Sequence, residues 1–205
     1  MAAVNSAEAL PRPALPAHER IVEAARELFC RNGIHATGID RILAAASASK
    51  MTLYARFGSK EALIREVLAR EGADWRAAFF HEITRAGPDP WDQLRATAAA
   101  LGQWFRGGRF FGCAFMNAIA EHDKSEVWLK EIAADHHRQV LLFLAGLARQ
   151  AGLQEPDIVA RQILLLIDGA TAALMVTNDP AVLDITARNL HAILASAERA
   201  HEPAA

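Results

Sequence analysis

The stretch that decides the fold is Thr37-Gly-Ile-Asp-Arg-Ile-Leu-Ala-Ala-Ala-Ser-Ala-Ser-Lys-Met-Thr-Leu-Tyr-Ala-Arg-Phe-Gly-Ser-Lys-Glu-Ala-Leu63. Ile39, Ile42, Leu43 and Ala46 fall on one face of a short helix, and Thr37 with Asp40 three residues on matches a capping box at its start. Ser49 opens a second short helix, with Leu53, Tyr54 and Phe57 at helical spacing. Gly58-Ser59 breaks the chain again before a long helix begins at Lys60. Upstream, Ile21, Ala25, Leu28 and Phe29 form one face of a helix over 17–32 that Asn32-Gly33 stops. Two short helices joined by a tight turn after a longer one form a helix-turn-helix layout, whose second helix enters the DNA major groove.

Working outward, the periodicity stays helical. Residues 60–85 carry Ile64, Val67, Leu68, Trp75, Phe79 and Ile83 in a stripe, ended by Gly87-Pro88-Asp89-Pro90. Trp91, Leu94, Ala98, Leu101 and Phe105 mark a fifth helix and Cys113–Glu121 a short sixth. Ser125–Gln150, a segment from Pro156 to about Asn178, and a last helix after Asp179-Pro180 complete nine. No stretch alternates over a strand's length, so the fold class is all-α. The expected organisation is a disordered arm over 1–16, a helix-turn-helix DNA-binding domain over 17–58, a larger helical domain over 59–199, and a polar tail over 200–205.

Charge sharpens this division. The 205 residues carry a net charge of -2, which excludes a protein that coats DNA along its whole surface. Residues 17–70 hold nine Lys and Arg against six Asp and Glu, while residues 71–205 hold twelve against seventeen. Over 31–60 the count is five against Asp40 alone. A basic segment joined to an acidic one is the asymmetry expected when one part meets phosphates and the other does not.

Two cysteines, Cys30 and Cys113, build no disulfide framework. The Ala/Pro-rich start has neither a basic region nor an apolar core for a secretory signal. The apolar run Ile163–Thr177, interrupted by Asp168, is shorter than the roughly 20 residues of a membrane span. The expectation is a cytoplasmic protein with no membrane partner.

The segment from Arg20 to Glu66 resembles the N-terminal domain of tetracycline-repressor-type (TetR/AcrR) transcriptional regulators. That family's pattern runs Ile-Ala-x-x-Ala-Gly-Val-Ser, then Thr-Leu-Tyr-x-x-Phe and Ser-Lys-x-x-Leu. This chain departs from it at Ser47 for the turn Gly, Ala48 for Val and Arg56 for His. A Ser at that turn must take a backbone conformation that favours Gly. The resemblance implies a homodimeric regulator, commonly a repressor, on a palindromic double-stranded DNA operator, released by a small-molecule effector.

By residue type, Thr37 at a helix start and Tyr54 through its hydroxyl suit phosphate, and the resemblance implies a phosphate contact for Lys60. Lys50, Met51, Thr52 and Ala55 are suited to base edges: Met51 and Ala55 to thymine methyls, Lys50 to guanine. Arg56 adds charge toward the backbone. Tyr54 also reads as a plain core aromatic, and Lys60 as a solvated charge.

Beyond residue 71 the aromatics are dense. Trp75, Phe79, Trp104, Phe105, Phe111, Met116 and Trp128 are candidates to line an apolar or aromatic effector pocket, or simply core. Phe111–Glu121 contains Gly-Cys-x-Phe-x-Asn-Ala, similar to a segment in one branch of the family. Cys113 near a helix N-terminus is a candidate low-pKa sensor of electrophiles or oxidants, or a buried packing residue. Asn117 is a candidate to orient a ligand. Asp168 reads as a pocket group or a paired interface charge.

His122, His136 and His137 with Glu121, Asp123 and Asp135 lack tight ligand spacing, and adjacent histidines on a helix point apart, so no metal and no cofactor is expected. The resemblance implies that the domain over 59–199 binds the ligand and dimerises through its last two helices, with Ile163, Leu166, Ala170 and Leu174 and, on the last helix, Leu190, Ile193 and Leu194 as the expected dimer face. No nucleophile–base pair or phosphate loop is present, so an enzyme is not expected, and a helical enzyme or carrier with a vestigial reader is the minor alternative.

Overall fold

The structure, a computed structural model, describes residues 15–108, 110–123 and 126–199. Most of the expected N-terminal arm and the whole polar tail lie outside these residues.

Nine helices and no strand are present among the described residues: α1 (Ala17–Asn32), α2 (Ile39–Ala46), α3 (Lys50–Phe57), α4 (Lys60–Thr84), α5 (Pro90–Arg106), α6 (Ala114–Glu121), α7 (Val127–Gln150), α8 (Pro156–Thr177) and α9 (Ala181–Arg199). The expected start of α7 at Ser125 falls outside the described residues.

The boundaries follow local chemistry. Gly33, at φ 84°, ends α1 with its N–H on the Phe29 carbonyl. Ser49 and Ser59 cap α3 and α4, accepting from the backbone N–H of Thr52 and Ala62 at 3.1 Å each. Asp89 caps α5, and Pro90 and Pro156 begin α5 and α8 at a position where no backbone donor is lost. One expected cap is corrected. The residue before α2 is Gly38, without a side-chain cap. Thr37 is fully buried, and its hydroxyl donates to the Gly33 carbonyl at 2.6 Å, closing the α1–α2 loop instead of opening α2.

Two cores result. The first joins Ile21, Val22, Ala25 and Phe29 of α1, Ile42 and Leu43 of α2 and Leu53 of α3 to Leu63, Ile64, Val67 and Leu68 of α4, Phe115 of α6 and Leu129 of α7. The second gathers Phe79 and Ile83 of α4 with α5, the rest of α7, α8 and α9. Helices α4 and α7 run through both cores, so a shift of either displaces the N-terminal helices relative to the larger bundle. Gly72 lets α6 approach α4 closely: a Cβ there would lie 2.8 Å from the Phe115 ring.

The α8 helix is long and apolar enough to cross a membrane by length and composition alone. Its inward side is spent on the second core, through Val159, Ala160, Ile163, Ile167, Ala170, Thr171 and Leu174.

Candidate nucleic-acid interface and internal cavity

Helix α3 commits one residue, Leu53, fully to the core, with Phe57 half-buried below it. The opposite face is free. Met51 is 80% and Tyr54 47% exposed, Lys50, Ala55 and Arg56 are exposed, and Thr52 is half-buried beside the Ser49 cap. Tyr54 is therefore a surface group. Lys50 Nζ lies 2.8 Å from Asp40 Oδ1 of α2, and that hydrogen bond holds the ammonium charged at the surface.

The turn that sets the pose of α3 has the backbone expected of a glycine. Ser47 is left-handed at φ 47°, ψ 52°. Arg20 of α1 braces it, donating from Nε to the Ala46 carbonyl at 2.9 Å and from Nη2 to the Ser47 carbonyl at 3.0 Å. Sequence reasoning missed Arg20; its partners are backbone atoms and leave no mark in residue type.

Two residues expected at phosphates are turned inward. Thr37 has no exposed hydroxyl. Lys60 Nζ donates to the Ile34 carbonyl at 2.9 Å, and burial pushes its pKa down. The same loop is held from the other side by Glu121 at the end of α6, whose Oε2 accepts from the His35 backbone N–H at 2.9 Å.

One internal cavity lies among α4, the end of α5, α6, α7 and α8, with about 490 Å3 of empty space when the open solvent at its mouth is counted. Of the expected residues, Trp75, Trp104, Cys113, Met116 and Asp168 line it. The other five do not. Phe79 is core and stacks on Trp75 at 4.6 Å, and Phe105 packs edge-on to Phe110. Phe111 faces an outer groove, and Asn117 donates to the Phe111 carbonyl at 2.9 Å. Trp128 lies under the Arg65 guanidinium, 4.3 Å away.

The cavity also has polar walls that sequence reasoning passed over. Glu71, His136, His137 and Thr171 line it, and the adjacent histidines diverge to different helices, His136 to Arg76 of α4 and His137 to Asp168 of α8, while both border this space. His136 accepts at Nδ1 from Arg76 Nη1 at 2.9 Å and stacks on Phe115 at 4.1 Å. Burial, then the Arg76 charge, lowers its pKa to about 4, so it is neutral. His137 Nε2 lies 3.3 Å from Asp168 Oδ2, which raises its pKa. Asp168 is thus both a cavity group and a paired charge. Trp75 Nε1 is buried without a protein hydrogen-bond partner.

Cys113 precedes α6 as expected, but burial pushes its thiol pKa up, opposing the low-pKa sensor expectation.

The residues expected at the dimer face sit mostly inward. Ile163, Ala170, Leu174, Leu190 and Leu194 are buried in their own chain, and Leu166 and Ile193 are half-buried against the same core. The apolar side chains that α8 and α9 turn outward are Ile158, Leu165, Met175, Val176 and Ile185, with Leu165 71% and Val176 81% exposed.

Comparison with known proteins agrees with this architecture. Residues 21–67 match the sequence profile of the bacterial regulatory proteins of the tetR family. A TetR-family transcriptional regulator from Streptomyces coelicolor, SCO4454, superposes with a TM-score of 0.79 at 30% identity, covering 88% of this chain and 95% of that one. A putative TetR-type regulator from Streptomyces avermitilis superposes with a TM-score of 0.78 at 25% identity, over 90% and 99% of the two chains. The HTH-type transcriptional regulator UidR of Escherichia coli is 41% identical over 58 residues. That match spans 28% of this chain and only 30% of UidR.

Proposed function

Because the chain belongs to the TetR family of bacterial regulatory proteins, we propose that this transcriptional regulator is a ligand-responsive repressor, acting as a homodimer on a palindromic DNA operator. The observation that carries the proposal is the split commitment of α3: Leu53 goes to the core while Lys50, Met51, Tyr54, Ala55 and Arg56 face outward. Lys50, Met51, Thr52 and Ala55 meet base edges, while Tyr54 and Arg56 meet phosphates. Residues 17–58 act as the reader and residues 59–199 as the sensing and pairing part. A two-fold dimer through the outward faces of α8 and α9 spaces two readers about one DNA turn, roughly 34–36 Å, apart.

The effector site is the cavity around Trp75, Trp104, Met116 and Asp168. A ligand there touches α4, which carries the first core as well as the second. It changes operator affinity to the extent that it binds the two reader spacings differently.

Selection of DNA from a random pool by the full-length protein, followed by titration at two salt concentrations, tests the proposal. The expected result is an inverted repeat whose affinity falls steeply with salt. Binding without sequence preference overturns it.

A further inference from the structure

Glu71 occupies a shared wall. With Trp75 and Trp104 it lines both the internal cavity and an open groove on the outer side of α4, where Arg26, Asp74 and Phe111 lie. Its Oε2 accepts from Arg26 Nε of α1, while Arg26 Nη1 donates to Asp74 Oδ2 at 2.7 Å. One guanidinium of the reader is therefore held by one carboxylate that faces the cavity and by a second, 62% exposed, that faces solvent. A ligand group that draws Glu71 Oε2 inward takes it from α1, whereas one that meets Oε1 alone leaves the Arg26 bond in place.

The cavity chemistry limits what that is. Two carboxylates, Glu71 and Asp168, line it; each already holds its basic partner, Arg26 or His137, and keeps acceptor capacity that suits a donor better than a further anion. The Trp75 indole N–H is buried there without a partner. Trp75, Trp104, Phe115 and Met116 supply flat apolar walls. The carboxylates call for a donor and the indole N–H for an acceptor, so the complementary molecule is an aromatic ring bearing a group that does both, a hydroxyl or an uncharged amine.

We infer that an aromatic effector with a donor group takes the Glu71 carboxylate from Arg26, leaving α1 tied at this point only through the exposed Asp74, and so weakens operator binding. This rests on the reading of the chain as an effector-controlled DNA binder. Binding reciprocity follows: if ligand and Arg26 compete for Glu71, removing Arg26 tightens the ligand.

The test uses full-length protein, the selected operator and three probes of one size: 4-ethylphenol, 4-ethylaniline and 4-ethylbenzoate. Calorimetry measures probe binding, and anisotropy of labelled operator measures release. The phenol and the aniline are expected to bind at least about tenfold more tightly than the benzoate and to lower operator affinity by about tenfold, roughly 1.4 kcal/mol. In Arg26→Gln, probe binding tightens by about threefold or more, operator affinity starts low, and the probe lowers it little further. Arg26→Lys, which keeps the charge, lies between wild type and Arg26→Gln on both readouts.

Unchanged probe affinity in folded Arg26→Gln and Arg26→Lys, or release as large as in the wild type, overturns the inference and leaves the proposed function standing. Preference for the benzoate, or binding of none of the three, overturns the ligand class. Failure of the wild type to select any DNA overturns the proposed function itself, and this inference with it.

Discussion

Arg20 grips Ser47 across the first core: its Nη2 donates to the Ser47 carbonyl at 3.0 Å while Nε holds the neighbouring Ala46 carbonyl. The two carbonyls belong to the turn between α2 and α3, so the orientation of α3 is set partly from α1. Charged donors to backbone acceptors are worth about 1.5–3 kcal/mol when removal leaves the acceptor poorly solvated, and this pair is only partly buried. Arg20→Met is expected to cost about 2 kcal/mol and to lower the melting temperature by about 4–8 °C. It is also expected to weaken operator binding by more than Arg20→Lys does. Thermal denaturation and operator titration of both variants check this.

Ser47 itself carries a conformational cost. A non-glycine residue at φ 47° is disfavoured by about 1–2 kcal/mol relative to the right-handed region, partly offset in a Gly variant by greater freedom of the unfolded chain. Ser47→Gly is expected to stabilise by about 0.5–1 kcal/mol, whereas Ser47→Val destabilises. Chemical denaturation midpoints at constant slope decide the sign.

Arg56 and Lys50 separate two kinds of DNA contact. Arg56 lies at the end of α3, and Lys50 at its start beside Asp40. Arg56→Ala is expected to weaken all DNA sequences alike and reduce the slope of log affinity against log salt by about 1 per head. Lys50→Ala is expected to relax preference at one base position, with a discrimination loss of about 1–3 kcal/mol. Repeating the DNA selection with each variant distinguishes the two.

The helices were legible because their ends are written in local chemistry: Gly33, Ser49, Gly58-Ser59, Asp89-Pro90 and Pro156 are interpretable without neighbours. The outward face of α8 was not. Ile163, Leu164, Leu165, Leu166 and Ile167 are apolar in succession, so periodicity offers no contrast, and only the packing of α7 and α9 decides that Ile163 and Ile167 go in and Leu165 out. Thr37 failed for another reason. The capping pattern is local, but the Gly33 carbonyl of the preceding loop competes for the hydroxyl at 2.6 Å and wins it. Of the polar half of the cavity Asp168 was legible, but Glu71 was not, because it meets His136 and His137 only when α4 and α7 pack.

His136 makes stability depend on pH with a definite sign. Folded, its pKa is lowered to about 4; unfolded, it returns to about 6.5. Between these values the unfolded chain binds a proton that the folded one refuses, so stability is lost as pH falls from about 6.5 to 4. The contribution is about 3 kcal/mol at full extent. His137 acts oppositely: its raised pKa adds stability below about 6.5 that disappears as pH rises through the folded value. His136→Asn, which keeps an acceptor for Arg76, is expected to flatten the acid limb, and His137→Asn to steepen it. Unfolding free energies of the three proteins at pH 4.5, 5.5 and 7 test both signs.

Leu165 and Leu174 sit on opposite sides of α8, 71% and 1% exposed, and their substitution separates pairing from folding. Leu165→Glu places a charge on the outward apolar face that includes Ile158 and Val176. It leaves the second core untouched but must desolvate that charge if the face is covered by a second copy. The expected result is a folded monomer in sedimentation velocity, with near wild-type helicity and operator affinity reduced by more than tenfold, because two half-sites no longer bind as one. Leu174→Ala instead opens a cavity in the core and is expected to cost about 2–5 kcal/mol without creating a charge at the pairing face. A Leu165→Glu protein that sediments as a dimer places the interface elsewhere.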